Sequence, residues 1–468
     1  MNLLGIDVGT TSLKAAAFND KGEILFSATI DYTLITKGDI AEFDAKEYWE
    51  ICKKGIKEAS NNITIDALAI DTQCETLILT DGEGTPVYNA IVWLDNRATK
   101  EAEEIKSFFQ NKKVYEITGQ PEVTATWPAC KILWIKKNLP EVFSRVKKIF
   151  LLEDWLLYKL TGEFVTEKTL QSSSLYFDIN KADWWDEMLD YIGITRNMLP
   201  QLKNSAEVIG KSGGITVVTG AIDQIAGAIG AGVVKKGIVS EMTGTTMVIF
   251  VPCDKVPSYN PKSIVPCHYN YDGKYTLLSW TPTAGMALKW FKNNFCENFS
   301  FKELDMLAKE VSPGSCGLVF LPYLCGSTMP KYNPDSRGVF AGLTLEHGRP
   351  HFIRAILESV ACMLKENLDY LGIDAKEIRT MGGGADSPLW CQIKADITGK
   401  RLVTLKNKET ACLGSAILAG VGIKAFNSVE EACDSLISTD KIYSPDGSDY
   451  NFIYTKYCDI DNLICKED

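Results

Sequence analysis

The chain has 468 residues, of which 46% are apolar and 23% charged, and this composition is typical of a globular protein with two large domains. The net charge of −11 argues against binding to nucleic acid or to an anionic membrane surface, since both need a positive field. The 14 cysteines are scattered without a CxxC pair, which favours reduced, buried thiols over disulfides or a zinc site.

The N-terminal sequence MNLLGIDVG carries no basic leader and reaches Asp7 before a signal-length apolar stretch is complete. Elsewhere there is no run of about 18 apolar residues that would span a membrane. We therefore expect a cytoplasmic protein without a membrane segment. A homodimer is compatible with the sequence, but no motif indicates one.

The first third of the chain predicts a mixed α/β lobe that opens with three short strands joined by tight turns. The predicted elements are strands at Leu3–Val8, Leu13–Phe18 and Gly22–Thr29, a helix at Ala45–Asn61, a strand at Ala67–Ile70 and a hairpin at Thr76–Val87. Asp7 closes the first apolar strand, where an unpaired carboxylate is costly. A bound metal ion would remove that cost.

The segment Glu101–Leu202 is predicted to be mainly helical, and a short strand at Ile215–Thr219 follows it. Asp223 comes just after this strand and precedes a predicted helix at Ala226–Gly232. Because ligand crevices lie at the carboxyl ends of strands in open α/β sheets, Asp223 is a candidate to accept a proton from an attacking hydroxyl. Capping of a helix that starts near Ile225 is an equal alternative.

One pattern occurs twice, as GIDVGTTSLKAAAF at Gly5–Phe18 and as EMTGTTMVIFV at Glu241–Val251. Each copy joins an apolar β-type segment to a Gly-Thr-Thr turn whose N–H groups and hydroxyls can point at phosphate oxygens. Two ordinary hairpin turns are the alternative. The repeat predicts a duplicated lobe, with an N-terminal lobe at residues 1–236 and a C-terminal lobe at residues 237–468.

In the second lobe, the spacing of apolar residues predicts an amphipathic helix at Phe352–Leu371. The stretch MGGGADSPLW follows a strand at Ile378–Met381 and contains an N-cap candidate, Ser387, before Pro388. A glycine turn of this kind can pass close to an adenine or ribose, and the helix N-terminus favours anions. A plain strand-to-helix connection is the alternative.

Three segments carry a resemblance to a known family. GVFAGLTLEHGRPHFIRAILE at Gly338–Glu358 satisfies the C-terminal signature of the FGGY family of carbohydrate kinases, and WPACKILWIKKN at Trp127–Asn138 nearly meets the N-terminal one, with Thr126 departing. FLPYLCGSTMPKYNPDSRG at Phe320–Gly338 is similar to the corresponding segment of xylulokinases. The resemblance covers essentially the whole chain and implies two actin-like, ribonuclease H-like lobes with a cleft between them.

The resemblance also implies ATP and Mg²⁺ as cofactors. It gives Asp223 the role of catalytic base, in GAIDQ where the family usually has GGDQ or GGDN, and it places Mg²⁺ at Asp7 and Asp223. Nucleotide contacts would fall on Gly9, Thr10, Thr11, Gly244, Thr245, Thr246, Gly285, Gly383, Gly384 and Ser387.

The sugar side of the resemblance is mixed. The segment TQCETLILTD at Thr72–Asp81 aligns with both xylulokinases and glycerol kinases, with Cys74 and Glu75 at the positions that distinguish them. The implied substrate contacts are Gln73, Glu75, Trp93, Asp95, Trp127 and Gln224. A ketopentose such as D-xylulose is the first expectation for the substrate, and glycerol, a tetritol or a tetrulose is the alternative.

Two other classes of function compete with a sugar kinase. An actin-like ATPase would share the fold but would lack a polar sugar pocket beside Asp223. A dehydrogenase is disfavoured because no GxGxxG follows a strand, and IGKSGG at Ile209–Gly214 fails as a P-loop. Glu241, a charge within the second repeat, stays unexplained: it could face solvent or touch Mg²⁺-bound water.

Overall fold

A computed structural model describes residues 1–262 and 265–464 of the chain. The first half forms a lobe of mixed strands and helices. Its strands are β1 Leu3–Val8, β2 Ser12–Phe18, β3 Ile24–Asp31, β4 Ile35–Lys37, β5 Ile40–Phe43, β6 Ala67–Thr72, β7 Leu77–Thr80, β8 Ala90–Ile91, β9 Lys148–Leu151, β10 Val165–Glu167, β11 Phe177–Asp178, β12 Asp183–Trp184, β13 Gln201–Lys203, β14 Val208–Ser212 and β15 Ile215–Ile222. Its helices are α1 Ala45–Asn62, α2 Thr99–Phe109, α3 Asn111–Thr118, α4 Pro128–Asn138, α5 Pro140–Arg145, α6 Leu152–Thr161, α7 Lys168–Gln171, α8 Asp186–Ile192 and α9 Asp223–Gly230.

The second half repeats this mixture. Its strands are β16 Ile238–Thr243, β17 Met247–Cys253, β18 Cys267–Tyr269, β19 Tyr275–Thr281, β20 Val319–Leu321, β21 Val339–Ala341, β22 Glu377–Met381, β23 Arg401–Leu405 and β24 Thr439–Tyr443. Its helices are α10 Gly285–Phe295, α11 Phe301–Lys309, α12 Arg349–Tyr370, α13 Pro388–Thr398, α14 Thr410–Gly422, α15 Val429–Leu436 and α16 Asn451–Ile464. Short 3-10 turns lie at Arg196–Met198, Ser315–Gly317 and Gly383–Asp386.

The two main sheets have the same topology, which confirms the duplicated, two-lobed α/β fold expected from the repeat. The first sheet has the order β3-β2-β1-β6-β15-β14, and the second has β19-β17-β16-β22-β23-β24 with β18 added beyond β19. In both, two antiparallel pairs are followed by two parallel pairs and a final antiparallel edge strand. The strands of the two sheets fall on either side of residue 236, although the domain boundary there stays a prediction.

Both Gly-Thr-Thr segments are hairpin turns at matching places in the two sheets. The first turn, Gly9–Thr11, joins β1 to β2, and the second turn, Gly244–Thr246, joins β16 to β17. In each, the glycine N–H bonds a carbonyl across the turn, that of Ser12 or of Thr246. Neither glycine has a positive φ, so left-handed backbone is not the reason for glycine here.

Some predicted boundaries were wrong. The strand predicted at Ile215–Thr219 continues to Ile222, and the next helix begins at Asp223, three residues earlier than expected. Asp223 therefore lies in the first turn of α9, and Ile222 occupies the N-cap. The segment Glu101–Leu202 is largely helical, but it also contains short strands from β9 to β13 that are too brief to leave an alternating pattern.

The central strands of the first sheet are buried on both faces. Leu4, Ile6 and Val8 of β1 pack into one apolar cluster with α1 and α6. Leu3, which points the other way, joins the cluster that continues into the rest of the protein. One element covering that second face is α14, which belongs to the second half of the sequence yet packs against β1, β6 and β15. The two lobes are therefore joined through this helix.

The contact between α9 and α14 is made by backbone against backbone. A Cβ added at Gly230 would lie 1.8 Å from the carbonyl oxygen of Thr410, and one at Gly414 would lie 1.8 Å from that of Ala226. Gly5 in β1 is equally close to the Cys412 carbonyl. Glycine is required at these three positions because any side chain would separate the elements.

Within the described residues, no helix is long and apolar enough to cross a membrane. The thirteen cysteines of this part of the chain are all free, as the sequence predicted.

Candidate active site

The first turn is held by hydrogen bonds on two sides. The Trp93 indole N–H donates to the Thr10 hydroxyl at 2.9 Å, and the Tyr32 hydroxyl donates to the Gly9 carbonyl. Thr11 at the tip is exposed. The base of the turn is therefore held in place, while Thr11 at its tip stays open to solvent.

Three carboxylates gather behind the first turn. Asp7 and Asp71 are direct partners on the parallel strands β1 and β6, and Asp223 follows β15, the next strand of the sheet. Burial raises the pKa of Asp7 to about 6, although Lys14 opposes the shift. Burial and the negative charge of Asp7 together raise the pKa of Asp223 well above its usual range. The grouping therefore favours the protonated forms of these carboxyls, and a bound cation would stabilise their charged forms instead.

Asp71 is a member of this group that the sequence did not reveal. It is fully buried, its Oδ2 accepts a hydrogen bond of 2.6 Å from Ser415 of α14, and its carboxyl shares a hydrogen bond with that of Asp7. Burial and the neighbouring Asp7 raise the pKa of Asp71 well above normal. The strand predicted to end at Ile70 extends to Thr72, and only this extension places Asp71 beside Asp7.

The segment Gln73–Glu75 leaves β6 next to these carboxylates. The Gln73 amide donates to the Tyr48 hydroxyl at 2.9 Å, and its Oε1 is buried without a hydrogen-bond partner. The Cys74 thiol lies 3.7 Å from Nε2 of Gln224, the residue after Asp223. The contact between Cys74 and Gln224 thus places the segment that contains Gln73 beside the start of α9, where Asp223 lies.

Glu75 is the most unusual residue of this segment. Its φ of 59° places a non-glycine residue in the left-handed region, which occurs mainly at functional or strained sites. Burial raises its pKa to about 7, and the nearby Lys131 ammonium opposes that shift. Lys131, which the sequence analysis did not assign to the site, is buried and donates to the carbonyls of Glu75 and Val92.

The two predicted aromatic walls lie on this side of the molecule. Trp93 is 37% exposed, and its carbonyl accepts a hydrogen bond of 2.6 Å from Thr126. The Trp127 indole N–H donates to the Glu122 carbonyl at 2.9 Å, and Trp127 is partly exposed. Thr126, at the position that departs from the family signature, thus links the two tryptophan segments.

Asp95 does not have the free carboxylate that a sugar contact needs. It is fully buried, and its oxygens accept hydrogen bonds from the Arg97 guanidinium, the Arg97 N–H and the Ala41 N–H. Arg97 is also paired with Glu42. These bonds leave Asp95 no lone pair for a hydroxyl, so its role in this structure is to hold the Trp93 loop.

The second turn forms a unit with the other nucleotide candidates. The Thr245 carbonyl accepts hydrogen bonds from the N–H groups of Ala284 and Met286 at the start of α10. A Cβ at Gly285 would lie 2.2 Å from the Gly244 carbonyl oxygen, so only glycine allows this close approach. Around Gly244 itself the space is open.

The triple-glycine turn packs on the residue that precedes the second turn. Gly382 has φ 73°, and a Cβ there would lie 2.7 Å from the Thr243 carbonyl oxygen; one at Gly384 would lie 2.7 Å from Thr243 Cβ. Gly383 is exposed and has free space around it. Ser387 caps α13 by accepting the Trp390 N–H at 3.0 Å, as predicted.

Glu241 is fully buried, so the alternative that it faces solvent was wrong. Its carboxylate is paired with Lys394 of α13, also fully buried, at 2.9 Å. The sequence offered no signal for this pair because its members are 153 residues apart.

Comparisons with known proteins fit this geometry. Residues 2–230 match the N-terminal domain, and residues 242–423 the C-terminal domain, of the FGGY family of carbohydrate kinases. A xylulose kinase of Lactococcus lactis is 30% identical over 457 residues, covering 93% of this chain and 90% of that protein. A glycerol kinase of Thermococcus onnurineus is 30% identical over 464 residues, covering 95% and 93%.

The same fold is found in a solved structure of a ligand-bound xylulose kinase from Lactobacillus acidophilus. That structure has a TM-score of 0.91 and 26% sequence identity, and the match covers 100% of this chain and 99% of that one.

Proposed function

Since the chain belongs to the FGGY family of carbohydrate kinases, we propose that its substrate is a ketopentose, with D-xylulose first, and that Mg²⁺ assists the transfer. As a member of this family, the protein is an enzyme that transfers the γ-phosphoryl group of ATP to a hydroxyl of a small ketose or polyol. Family membership also sets aside the alternative of an actin-like ATPase without a sugar substrate.

The observation that carries the proposal is the meeting of Asp223 with the Gln73–Glu75 segment. The contact between Cys74 and Gln224 fixes this segment beside the start of α9. A hydroxyl bound there would lie beside the Asp223 carboxylate, which accepts its proton as the hydroxyl oxygen attacks the γ-phosphorus. ADP leaves as the bond to the γ-phosphoryl group breaks, so positioning and charge stabilisation supply most of the catalysis.

The phosphate groups of ATP would be bound by the first turn from one lobe and the second turn from the other. Exposed Thr11 and Thr245 offer hydroxyls and N–H groups at the two tips. Gly383, with open space around it, leaves room for the adenosine. These assignments follow the sequence analysis and remain part of the proposal.

The residues present fit a magnesium ion. Asp7 is only partly buried, lies next to two further carboxylates and has a raised pKa, so a divalent cation would stabilise its charged form. Mg²⁺ is commonly bound through one or two carboxylates together with substrate phosphates. Asp7, with Asp223 beside it, would hold the ion, and its positive charge would offset charge on the transferring phosphoryl group.

The charges of the site favour a neutral, polyhydroxylated substrate. Asp7, Glu75 and Asp223 are all acidic, and the ammonium of Lys131 is already bound to two carbonyls. The buried, unpartnered Oε1 of Gln73 is an acceptor for a hydroxyl donor. A sugar acid would instead meet carboxylates of its own sign, so we expect gluconate to be a poor substrate.

Within the neutral substrates, two observations point in different directions. The resemblance of Phe320–Gly338 to xylulokinases favours a ketopentose, whereas overall identity does not decide, since the Lactococcus lactis xylulose kinase and the Thermococcus onnurineus glycerol kinase are both 30% identical to this chain. Glu75 favours glycerol or a four-carbon polyol as the second candidate, because glycerol kinases have a glutamate at this position.

A cytoplasmic location and a homodimer remain expectations from the sequence.

A substrate panel tests the proposal. We would measure kcat/KM with ATP and Mg²⁺ for D-xylulose, D-ribulose, L-ribulose, erythrulose, glycerol and gluconate, following ADP release. D-xylulose should give the highest value, and deoxy analogues should lose about 10²-fold or more, because unpaired polar groups in the site are then left buried. A clear preference for glycerol or gluconate would contradict the ketopentose assignment.

A further inference from the structure

The buried pair Glu241–Lys394 lies directly behind the second turn, where no charge is needed for folding. Glu241 is in β16, two residues before Thr243 and three before Gly244. Lys394 reaches it from α13, the helix that follows the triple-glycine turn. Both side chains are 0% exposed. Burying such a pair costs desolvation energy, and an apolar pair of similar volume is often as stable or more stable.

The pair is part of a closed hydrogen-bond network. The Lys394 ammonium donates to both Glu241 oxygens, at 3.0 and 2.9 Å, and to the Thr243 hydroxyl at 2.8 Å. The Thr243 hydroxyl donates to Glu241 Oε1, and the Thr380 hydroxyl donates to Oε2 at 2.6 Å. All three N–H donors of the Lys394 ammonium are thus used, and each Glu241 carboxylate oxygen accepts two hydrogen bonds. In this arrangement Glu241 has no free lone pair for Mg²⁺-bound water.

This network joins three elements at the nucleotide candidates. Glu241 and Thr380 are direct partners on β16 and β22, so the bond between their side chains spans the parallel pair. A Cβ at Gly384 would lie 3.3 Å from the Lys394 ammonium. The backbone of the glycine turn therefore rests on Lys394 and Thr243, and Thr243 continues directly into the second turn.

We propose that Glu241 and Lys394 are positioning residues of the nucleotide site. Their directional bonds fix Thr243, and through it the second turn, relative to the glycine turn Gly382–Gly384. An apolar pair would fill the same space without this directional restraint. The inference rests on the proposed function, which places phosphates at the second turn and adenosine at the glycine turn.

The test is a double substitution that removes both charges and keeps the volume, Glu241→Leu with Lys394→Met. We expect a modest fall in Tm, because neither charge is left unpaired but the buried Thr243 and Thr380 hydroxyls lose their partners. The Kd for ADP, measured by calorimetry without sugar, and the KM for ATP should both rise about tenfold, whereas the KM for the sugar stays within about twofold. A folded double variant with wild-type ADP affinity would overturn the proposal.

A second variant decides the question if the double variant fails to fold. Thr380→Val removes one donor from the neighbouring strand and leaves the ion pair in place. A weakening of ADP binding by about twofold or more, with sugar KM unchanged, supports the proposal, since one hydrogen bond is lost. Unchanged ADP affinity overturns it.

The matched control is a second buried ion pair of this lobe, Arg354–Glu358, which lies within α12. Arg354→Met with Glu358→Leu should leave the Kd for ADP unchanged. An equal loss of ADP affinity there would mean a general packing effect and would overturn the proposal. ADP binding is measured without sugar, so failure of the ketopentose assignment, seen as no turnover of D-xylulose by the wild type, is a separate result.

Discussion

The first and second turns are copies of one hairpin, yet their charged surroundings are opposite. Behind the first turn, two acidic side chains, Asp7 and Asp71, lie side by side and share a hydrogen bond. Behind the second turn, Glu241 is instead paired with a cation, Lys394. The two sheets therefore have the same topology but differ in the charges placed behind their turns. On the proposed function, the acidic pair lies on the metal side of the site, and the ion pair supports the turn that faces it.

The largest effect should come from the base. In Asp223→Asn the side chain keeps its shape and loses proton acceptance, so kcat should fall by about 10² or more while ADP affinity is retained. Because the pKa of Asp223 is raised, the wild-type rate should climb with pH as this carboxyl ionises, and the variant should lose that limb. Near-wild-type turnover would remove Asp223 from the mechanism.

Asp7→Ala tests the acidic pair behind the first turn. We expect Mg²⁺-dependent turnover to fall by about tenfold to a hundredfold, since metal binding loses its carboxylate. Thermal stability should be equal or higher, because a costly carboxylate is removed. The measurement is a Mg²⁺ titration of kcat beside a thermal melt. An unchanged Mg²⁺ dependence would place the ion elsewhere.

Buried acidic side chains also lie deeper in the first lobe, and they should make the stability of the protein depend on pH. Burial raises the pKa of Asp154 to about 8, from an ordinary value of 3.8, and that of Glu167 to about 7. The folded state thus keeps protons that the unfolded chain releases near pH 4. The contribution of these two groups to the free energy of unfolding is therefore fully present below about pH 4. It is lost as the pH rises through about 8, and each group lowers the free energy of unfolding by up to about 1.4 kcal/mol per pH unit.

Urea unfolding between pH 5 and 8 would measure this slope. Asp154→Asn should flatten it by the contribution of one proton, whereas the matched control Asp20→Asn, at an exposed turn, should leave it unchanged. A slope that is the same in all three proteins would contradict the raised pKa of Asp154.

The smallest effect concerns the support of the first turn. Tyr32→Phe removes the donor to the Gly9 carbonyl, a loss of about 1 kcal/mol, so the KM for ATP should rise about fivefold. Tyr158→Phe is the control, because that hydroxyl binds the Glu83 carbonyl instead. A wild-type KM for ATP in Tyr32→Phe would contradict a role for this hydrogen bond in supporting the first turn.

Local pattern was sufficient to predict much of the fold. Apolar β-type segments joined by Gly-Thr-Thr predicted both hairpins, and the N-cap candidate Ser387 before Pro388 predicted the start of α13. Local patterns did not predict the features that depend on contacts between residues far apart in the sequence. Lys394 neutralises Glu241 from 153 positions away, and Asp71 looked like a polar residue just past a strand.

The roles of the site residues remain predictions, but the structure shows which of their surroundings the sequence could reveal. Gln73 and Gln224 lie in adjoining segments because they follow neighbouring strands of one sheet. The bonds that occupy the Asp95 carboxylate could not be predicted from sequence, because one of the donors, Ala41, is 54 residues away. A carboxylate beside an arginine in sequence, as in Asp95–Arg97, is weak support for a ligand contact.

The crossing of α9 and α14 has a consequence for the substitutions it tolerates. Gly230 and Gly414 bring backbone against backbone, so even a methyl group at either position would push the helices apart. Since α9 starts at Asp223 and α14 packs on β1, such a displacement would also shift Asp223 relative to Asp7. The spacing of the two helices and the spacing of the two carboxylates are therefore set by the same contact.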